Sequence, residues 1–238
     1  MSSETVRPKR TSISNAEAQA IAKLDPQSFN AGLAAVPPLT ADDLRRRFEQ
    51  TREWTHEMLG DGQFSDLAAD GAEAPAYRQA SVLVPIVVRE QLNLLLTQRT
   101  SHLANHAGQI AFPGGRRDPE DADAIATALR EAQEEIGLEA RHIEVVGALP
   151  HYYTVTNFEV TPVVALVHPP FALTIQEEEV AEAFEVPLAF LLDPVNHEKR
   201  SRPWNGRERH FYAMPYEGHF IWGATAAMLR NLYHFLRA

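Results

Sequence analysis

The 238-residue chain contains no cysteine. This absence excludes disulfide bonds, thiolate metal sites and a cysteine nucleophile, so a zinc site would need histidine and carboxylate ligands. No apolar run approaches the roughly 20 residues of a membrane-spanning helix, and the N-terminus lacks the apolar core of a signal peptide. We therefore expect a cytoplasmic protein that does not associate with a membrane.

Basic residues are also scarce. The chain has 22 Lys and Arg against 32 Asp and Glu, which gives a formal net charge of −10. Proteins that bind nucleic acids or membrane surfaces usually carry a basic excess, so we expect neither partner. An anionic small-molecule substrate stays open, because a bound divalent cation can supply positive charge locally. The hydrophobic content of 45% is enough for a full core.

The most informative stretch covers residues 112–138, FPGGRRDPEDADAIATALREAQEEIGL. Its apolar side chains recur at near-helical spacing, which predicts a helix with one buried face. Gly137 follows the last apolar position and predicts the end of the helix. Asp118, Pro119 and Asp121 predict its start, as cap, first-turn proline and first-turn acid. The expected buried stripe consists of Ile125, Ala128, Leu129, Ala132 and Ile136.

Three carboxylates, Glu131, Glu134 and Glu135, project from another side of this helix. Like charges at this spacing cost about 0.2–0.5 kcal/mol per pair. A magnesium ion reverses this cost, because it takes hard oxygen ligands from one or two carboxylates together with water and substrate phosphate. A solvated acidic surface is the alternative interpretation of a lone Glu-Glu pair. The preceding Arg130 and the upstream Gly-Gly loop favour a metal site instead.

This arrangement resembles the box of the Nudix hydrolases. The box reads Gly, five residues, Glu, seven residues, Arg-Glu, an apolar residue, any residue, Glu-Glu, any residue, Gly and an apolar residue. Its second half matches residues 130–138. Counted back from Arg130, the Glu slot falls on Ala122, between Asp121 and Asp123. The Gly slot falls one place after Gly115, so the loop is one residue longer than the general pattern.

A longer stretch narrows the resemblance. Residues 95–115, LLTQRTSHLANHAGQIAFPGG, are similar to the signature of the coenzyme A diphosphatase branch of Nudix enzymes. Thr100 stands where the signature has Ser, and Ala104 where it has Arg. The resemblance covers about residues 80–238. It implies hydrolysis of the diphosphate bond of coenzyme A and its thioesters, with Mg²⁺ or Mn²⁺, to 3′,5′-ADP and 4′-phosphopantetheine or its acyl form.

The resemblance also implies roles for individual residues. Glu131 and Glu135 are expected to bind the metal, and Glu134 to assist as a ligand or in catalysis. A backbone carbonyl at Gly115 is expected to complete the metal shell. Arg130 is expected to orient the carboxylates rather than to touch the substrate, since metal sites usually have a hydrogen-bonded outer shell.

Nudix enzymes often place a further carboxylate downstream of the box. Glu178 and Glu179 are the candidates for this catalytic base or further ligand. The alternative interpretation of these residues is the acidic first turn of a helix. The expected substrate-binding residues are cations, a signature histidine and a turn glycine: Arg99, Arg116, Arg117, His106 and Gly114.

The order of the predicted elements indicates an α/β/α sandwich with a mixed sheet, the fold that the resemblance also implies. Residues 81–89 and 92–98 predict a hairpin, with Pro85 pushing the first strand toward an edge or a bulge. We expect a partly helical N-terminal extension with a disordered tail over residues 1–75, and a Nudix domain over residues 76–238. The extension contains predicted helices at 14–24 and from Thr40 to about Met58. Further strands are expected at 109–112, 143–149, 160–167, 210–214 and 219–221, with short helix 188–192 and final helix 223–236.

Other functions stay open. The chain could hydrolyse another nucleoside diphosphate, such as ADP-ribose or a dinucleotide. It could also be a non-catalytic Nudix-like binding module, although an idle domain has no need for mutually repelling carboxylates. The segment before about residue 60 could be an interaction element, and a homodimer is one option for the assembly.

Overall fold

A mixed β-sheet forms the centre of the structure, a computed structural model that describes residues 30, 32–57, 76–103, 106–154, 156–204 and 207–238. The strand order is β3-β2-β1-β7-β5, with β4 on β1, β6 on β7 and β8 on β2. Strands β1 and β7 run parallel, and the other described pairs of this sheet are antiparallel. The strands are β1 Arg78–Val88, β2 Leu92–Arg99, β3 Ile110–Ala111, β4 Gly114–Arg116, β5 Ile143–Ala148, β6 Tyr152–Tyr153, β7 Phe158–Val167 and β8 Val180–Pro187.

Helices cover both faces of this sheet, and a second sheet follows it. The helices are α1 Ala41–Glu49, α2 Ala124–Ile136, α3 Leu188–Leu191 and α4 Ala224–Arg237, with 3₁₀ turns at Ala140–His142 and Pro194–Asn196. The second sheet is antiparallel, in the order β11-β10-β9, with β9 Glu198–Trp204, β10 Arg207–Tyr216 and β11 His219–Trp222. The predicted layered α/β architecture, the β10–β11 hairpin, the short helix α3 and the last helix are confirmed. No helix in the described part of the chain is long and apolar enough to cross a bilayer.

Strand β1 separates two apolar cores, because its side chains alternate between the faces of the sheet. Leu83 and Val87 pack in the core that includes Ala128 and Ala132 of α2. Val84 and Ile86 pack in the larger core that includes α1, α3 and α4. Full burial of a leucine, valine or isoleucine side chain stabilises the fold by about 1.5–3 kcal/mol. Helix α2 is therefore held on one face of the sheet by its own small apolar residues.

The two predicted placements of Pro85, at an edge strand or at a bulge, are both wrong. Strand β1 is central, and its described pairings show no register shift. Leu83 donates its backbone N–H to the Pro113 carbonyl, on the side of β1 that faces β4 and β2. Pro85, two residues later, faces the same side. Pairing with β4 ends at Val82 and pairing with β2 begins at Ile86. Proline is tolerated because its missing N–H falls in the gap between these two ladders.

Helix α2 begins later than predicted. Its N-cap is Asp123, whose side chain accepts from the Ala126 N–H, whereas Asp121 is buried and bonds elsewhere. Ile125 is 41% exposed, so it does not belong to the buried stripe. Gly137 ends the helix as predicted, in the left-handed conformation with φ 67°.

Helix α1 begins as predicted but ends early. Thr40 and Asp43 form a capping box at its start. The helix stops at Glu49, where Gln50 takes an extended conformation, and Thr51 and Thr55 beyond it are exposed. The predicted end near Met58 and the predicted helix at 14–24 lie outside the described residues.

The segment that contains α1 packs directly on the main core. Leu44 is fully buried, and the Phe48 and Phe235 rings lie 4.5 Å apart. Further along, Glu57 reaches Arg230 of α4 at 3.3 Å. The domain boundary between residues 75 and 76 stays a prediction.

Candidate active site

Two glycines of β4 bring two carboxylates of α2 together. The Gly114 N–H donates to Glu135 Oε2 at 3.1 Å. A Cβ atom on Gly115 would lie 2.5 Å from Glu131 Oε2, so the Glu131 carboxylate occupies the space that a side chain would need. A Cβ atom on Gly114 would lie 2.4 Å from the Ser81 carbonyl oxygen of β1. A side chain is therefore excluded at both positions, because the backbone of Gly115 lies close to the Glu131 carboxylate and that of Gly114 lies close to strand β1.

These carboxylates lie in a poorly solvated place. Burial raises the pKa of Glu135 to about 7, and the charges of Glu131 and Glu179 add to this rise. Burial also raises the pKa of Glu131, although Arg130 opposes the rise. Arg99, at the end of β2, has its Nη1 3.5 Å from Glu135 Oε1. The site thus combines crowded negative charge with one loosely held cation.

Arg130 orients the acidic groups around it. Its Nε and Nη2 each lie 3.0 Å from an oxygen of Asp121, a paired geometry typical of strong Arg–carboxylate contacts. Its Nη1 lies 2.8 Å from Glu134 and 3.0 Å from Glu131. The Arg130 hydrogen bonds hold the pKa of Asp121 well below its usual range. This geometry fits the predicted orienting role.

Asp121 is the site residue that the sequence-based prediction missed. It also accepts from the Asp118 N–H at 2.9 Å and from Thr127 Oγ1 at 3.0 Å, which fixes the loop before α2. A signal was present in the sequence. Counted forward from Gly115, the Glu slot of the box falls on Asp121, whereas counting back from Arg130 gives Ala122. The extra residue therefore lies between the acid and the arginine, where the chain turns into the helix.

Only some of the predicted substrate-binding residues lie at the carboxylate site. Arg99 and Gly114 contact the Glu135 carboxylate. Arg117 donates to the Asp121 and Ala122 carbonyls at 2.9 and 2.7 Å, so its guanidinium closes the loop.

The other two predicted substrate-binding residues are exposed. Arg116 accepts from Arg130 through its backbone carbonyl. His106 adopts φ 57° and contacts Gln109 at 2.8 Å.

The acidic segment before β8 forms a turn rather than the start of a helix. The backbone N–H and Oγ1 of Thr100 donate to the carbonyls of Glu179 and Glu178 at 2.9 and 3.2 Å. The Glu179 carboxylate lies 3.9 Å from Arg99 Nη2 and contributes to the raised pKa of Glu131. The carboxylate of Glu179 therefore lies near Arg99 at the site. The contact of Glu178 described above is made by its backbone carbonyl with Thr100.

The donor set fits a small divalent cation. Within the described residues, no three His, Asp or Glu side chains form a preassembled metal cage. Mg²⁺ does not need one, because one or two carboxylates with water and substrate phosphate are enough. Glu131 and Glu135 crowd against the two glycines of β4, an arrangement that suits such an ion. These two carboxylates would hold it, and the Gly115 carbonyl and Glu134 are the further oxygen donors expected.

Comparisons with known proteins agree on one family. A family model described as NUDIX domain matches residues 77–206. A curated protein of Salmonella typhimurium (strain LT2), named "Uncharacterized Nudix hydrolase NudL", is 43% identical over 195 residues, which cover 82% of this chain and 93% of that protein. The protein of the same name from Salmonella typhi matches equally well.

Two solved structures resemble the chain more distantly. The Nudix hydrolase RenU of M. smegmatis has a TM-score of 0.41 at 21% identity, covering 58% of this chain and 81% of RenU. A MutT/nudix family protein from Enterococcus faecalis has a TM-score of 0.41 at 15% identity, covering 81% of this chain and 73% of that protein. At these values neither likeness bears on the substrate.

Proposed function

Because the chain belongs to the Nudix hydrolase family, we propose that it hydrolyses the diphosphate bond of coenzyme A and coenzyme A thioesters. The products are 3′,5′-ADP and 4′-phosphopantetheine or its acyl form. Diphosphate hydrolysis follows from the family, whose model spans the whole carboxylate site. The choice of coenzyme A rests on residues 95–115 and their resemblance to the coenzyme A diphosphatase signature.

The observation that carries the proposal is that residues 95–115, which resemble the coenzyme A diphosphatase signature, contact the carboxylates of the Nudix box on α2. The signature ends on β4, where Gly114 and Gly115 contact Glu135 and Glu131. It begins on β2, which delivers Arg99 to Glu135. The signature segment therefore packs directly against helix α2. Any residue of the signature that contacts the substrate would lie close to the diphosphate bond that is hydrolysed.

Each residue has a proposed task in the reaction. When bound, Mg²⁺ or Mn²⁺ would neutralise the diphosphate charge and lower the pKa of water. Glu131 and Glu135 would hold this ion, and Arg130 keeps Glu131 in position. Glu179, whose side chain is 52% exposed, accepts the proton of the attacking water on a carboxylate oxygen. The water oxygen bonds to one phosphorus as the bridging P–O bond breaks, and the proton then passes to the departing phosphate.

Arg99 is the proposed contact to the diphosphate. Its Nε is buried and has no hydrogen-bond partner in the described part of the chain. Its contacts to Glu135 and Glu179, at 3.5 and 3.9 Å, are too long for strong hydrogen bonds. The guanidinium can thus turn to phosphate oxygens, which match its paired donors.

A substrate panel tests the proposal. The protein is incubated with Mg²⁺ or Mn²⁺ and, separately, coenzyme A, acetyl-coenzyme A, ADP-ribose and a dinucleoside polyphosphate, and the products are identified by mass. We expect the highest kcat/KM for coenzyme A or its thioester. A higher kcat/KM for ADP-ribose or the dinucleoside polyphosphate would contradict the assignment of coenzyme A as substrate. It would still agree with diphosphate hydrolysis by a Nudix enzyme. Absence of turnover on every compound would favour a binding module.

A further inference from the structure

A second polar site lies away from the catalytic carboxylates, where the end of α1 meets the end of α4. A cavity of about 180 Å³ opens there. This volume far exceeds the roughly 10–15 Å³ that one water molecule needs, so the cavity can hold a polyatomic ligand. We call it the arginine pocket, and its principal lining residues are Leu39, Arg46, Arg47, Arg52 and Leu236.

Arg47 is the unusual member of this pocket, because it is only 7% exposed. Its Nε donates to the Phe235 carbonyl at 2.7 Å, and its guanidinium carbon lies 4.1 Å above the Phe235 ring. Nη1 and Nη2 are buried and have no hydrogen-bond partner within the described residues. Buried charged donors without acceptors are costly, so a native protein rarely keeps them without a reason.

The surrounding charge is positive in an otherwise acidic protein. Three arginines line the pocket, and Asp43 is the one carboxylate side chain among its described lining residues. Asp43 is paired with Arg46. Arg52 donates to a terminal carboxyl oxygen of Ala238 at 3.0 Å, which leaves Arg47 as the lining arginine without an acidic partner among the described residues. Burial and the nearby Arg52 cation lower the pKa of Arg47, as expected for a cation without a counter-ion.

We propose that the arginine pocket binds a phosphate-bearing small molecule, whose phosphate oxygens accept from Nη1 and Nη2 of Arg47. A guanidinium with two neighbouring free donors matches phosphate geometry, and the excess of cations favours a multiply charged anion. Gln50 and Arg52 are exposed, so rotation of these side chains gives the ligand access. Leu39 and Leu236 offer apolar contact to its organic part. This site is independent of the proposed diphosphate hydrolysis.

Thermal unfolding with inorganic phosphate tests the proposal. The measurements contain EDTA and are compared with sodium chloride at matched ionic strength, because phosphate also stabilises proteins non-specifically. At saturating phosphate the Tm of the wild type should rise by about 3–6 °C over the chloride control. Arg47→Met should lose this rise. Without phosphate its Tm should equal or exceed that of the wild type, because a buried charge without an acceptor is removed.

Control variants separate this pocket from other sites. Arg45→Gln removes a neighbouring arginine of α1 that faces Glu144, and it should keep the phosphate response. Glu135→Gln should keep it as well, since the catalytic site is not involved. Arg52→Gln should weaken phosphate binding severalfold while the protein stays folded, and this variant decides the matter if Arg47→Met does not fold. An equal rise in Tm for the wild type, Arg47→Met and Arg52→Gln would overturn the proposal.

Discussion

At the scale of single residues, the missing side chain of Gly115 sets the position of Glu131. We expect Gly115→Ala to lower kcat by at least about tenfold, because its Cβ would lie 2.5 Å from the Glu131 carboxylate and push it aside. The obstructing atoms are the end of a flexible side chain, so the Tm should fall by only a few degrees. Steady-state kinetics and thermal unfolding of the purified variant check both expectations.

Two comparisons make this prediction specific. In a Glu131→Gln background, Gly115→Ala should cause little further loss of kcat, since both changes act on the same group. Gly114→Ala should instead destabilise the fold, because its Cβ would meet the rigid Ser81 carbonyl at 2.4 Å. A Gly115→Ala variant with wild-type turnover would show that the Glu131 position is not critical.

The proposed metal ligands allow a second prediction at this scale. Glu131→Gln and Glu135→Gln should each lower kcat by about a hundredfold or more, since a neutral amide is a poor ligand for a hard cation. Glu135→Gln should leave the protein folded, because the amide oxygen can still accept from the Gly114 N–H. The matched control is Glu120→Gln, which alters an exposed carboxylate of the loop before the helix. Near-normal turnover of both site variants at saturating Mg²⁺ would remove the metal assignment.

The sequence identifies residues of the box better than their partners. Glu131, Glu135 and Arg130 were predicted because their types and spacing repeat a known pattern. Asp121 was missed because one additional residue shifts the register, and only the folded loop shows which acid meets Arg130. Arg117 could not be assigned from the sequence, because an arginine donates equally well to phosphate oxygens and to backbone carbonyls.

At the scale of elements, α1 behaves as part of the main core. Leu44 is fully buried within it, so Leu44→Ala should lower the free energy of unfolding by about 2–5 kcal/mol. Turnover per folded molecule should be unchanged, because the packing contacts of Leu44 lie on the face of the sheet opposite α2. Denaturant unfolding measures the first effect and kinetics at low temperature the second. Glu49→Ala, an exposed change in the same helix, is the control.

A different result would redefine the N-terminal segment. If Leu44→Ala unfolds with the stability of the wild type, the contacts between α1 and the core contribute little, and residues 30–57 act as a separate extension. A large loss of stability would instead mean that the catalytic fold requires this segment.

Elements were predictable where the local pattern is strong. The hairpin of β1 and β2 follows from two apolar runs, and helices α2 and α4 follow from apolar residues at helical spacing. Strand β9 was missed because its sequence, EKRSRPW, has no alternating apolar face and pairs only through its partner β10. The central position of Pro85 depends on where two ladders stop and start, which the local sequence does not encode.

At the scale of the whole molecule, the central sheet separates the carboxylate site from the larger apolar core. The face of α2 carries the carboxylate site, and the opposite face packs against α1 and α4 in the larger core. The arginine pocket lies where these two helices meet. A protein with a net charge of −10 thus gathers several of its cations at two places, beside the carboxylates of α2 and in this pocket. Phosphate-bearing ligands at both places, as proposed, would account for this distribution of charge.

Glu57 joins the N-terminal segment to β10 and α4 and should make stability depend on acid. Burial alone would raise its pKa, but contacts with His234, Tyr212 and Arg230 lower it to about 2. The unfolded chain takes up the proton near pH 4.5, whereas the folded protein does so only near pH 2. The contribution of Glu57 to stability is therefore complete above about pH 5 and is lost as the pH falls toward 2.

The Glu57→Gln variant isolates this contribution from that of other carboxylates. At pH 7 the variant should be less stable than the wild type by roughly 1–3 kcal/mol, since an ionised acceptor beside the buried Arg230 is replaced by a neutral one. The difference should shrink as the pH falls from 5 to 3, because the unfolded wild-type chain takes up a proton at Glu57 that the folded protein does not. This uptake destabilises the wild type but not the variant, which has no carboxylate at this position. Denaturant unfolding of both proteins across this pH range measures it, with the exposed change Glu53→Gln as control. A difference that stays constant with pH would mean that Glu57 acts by packing and hydrogen bonding rather than by its charge.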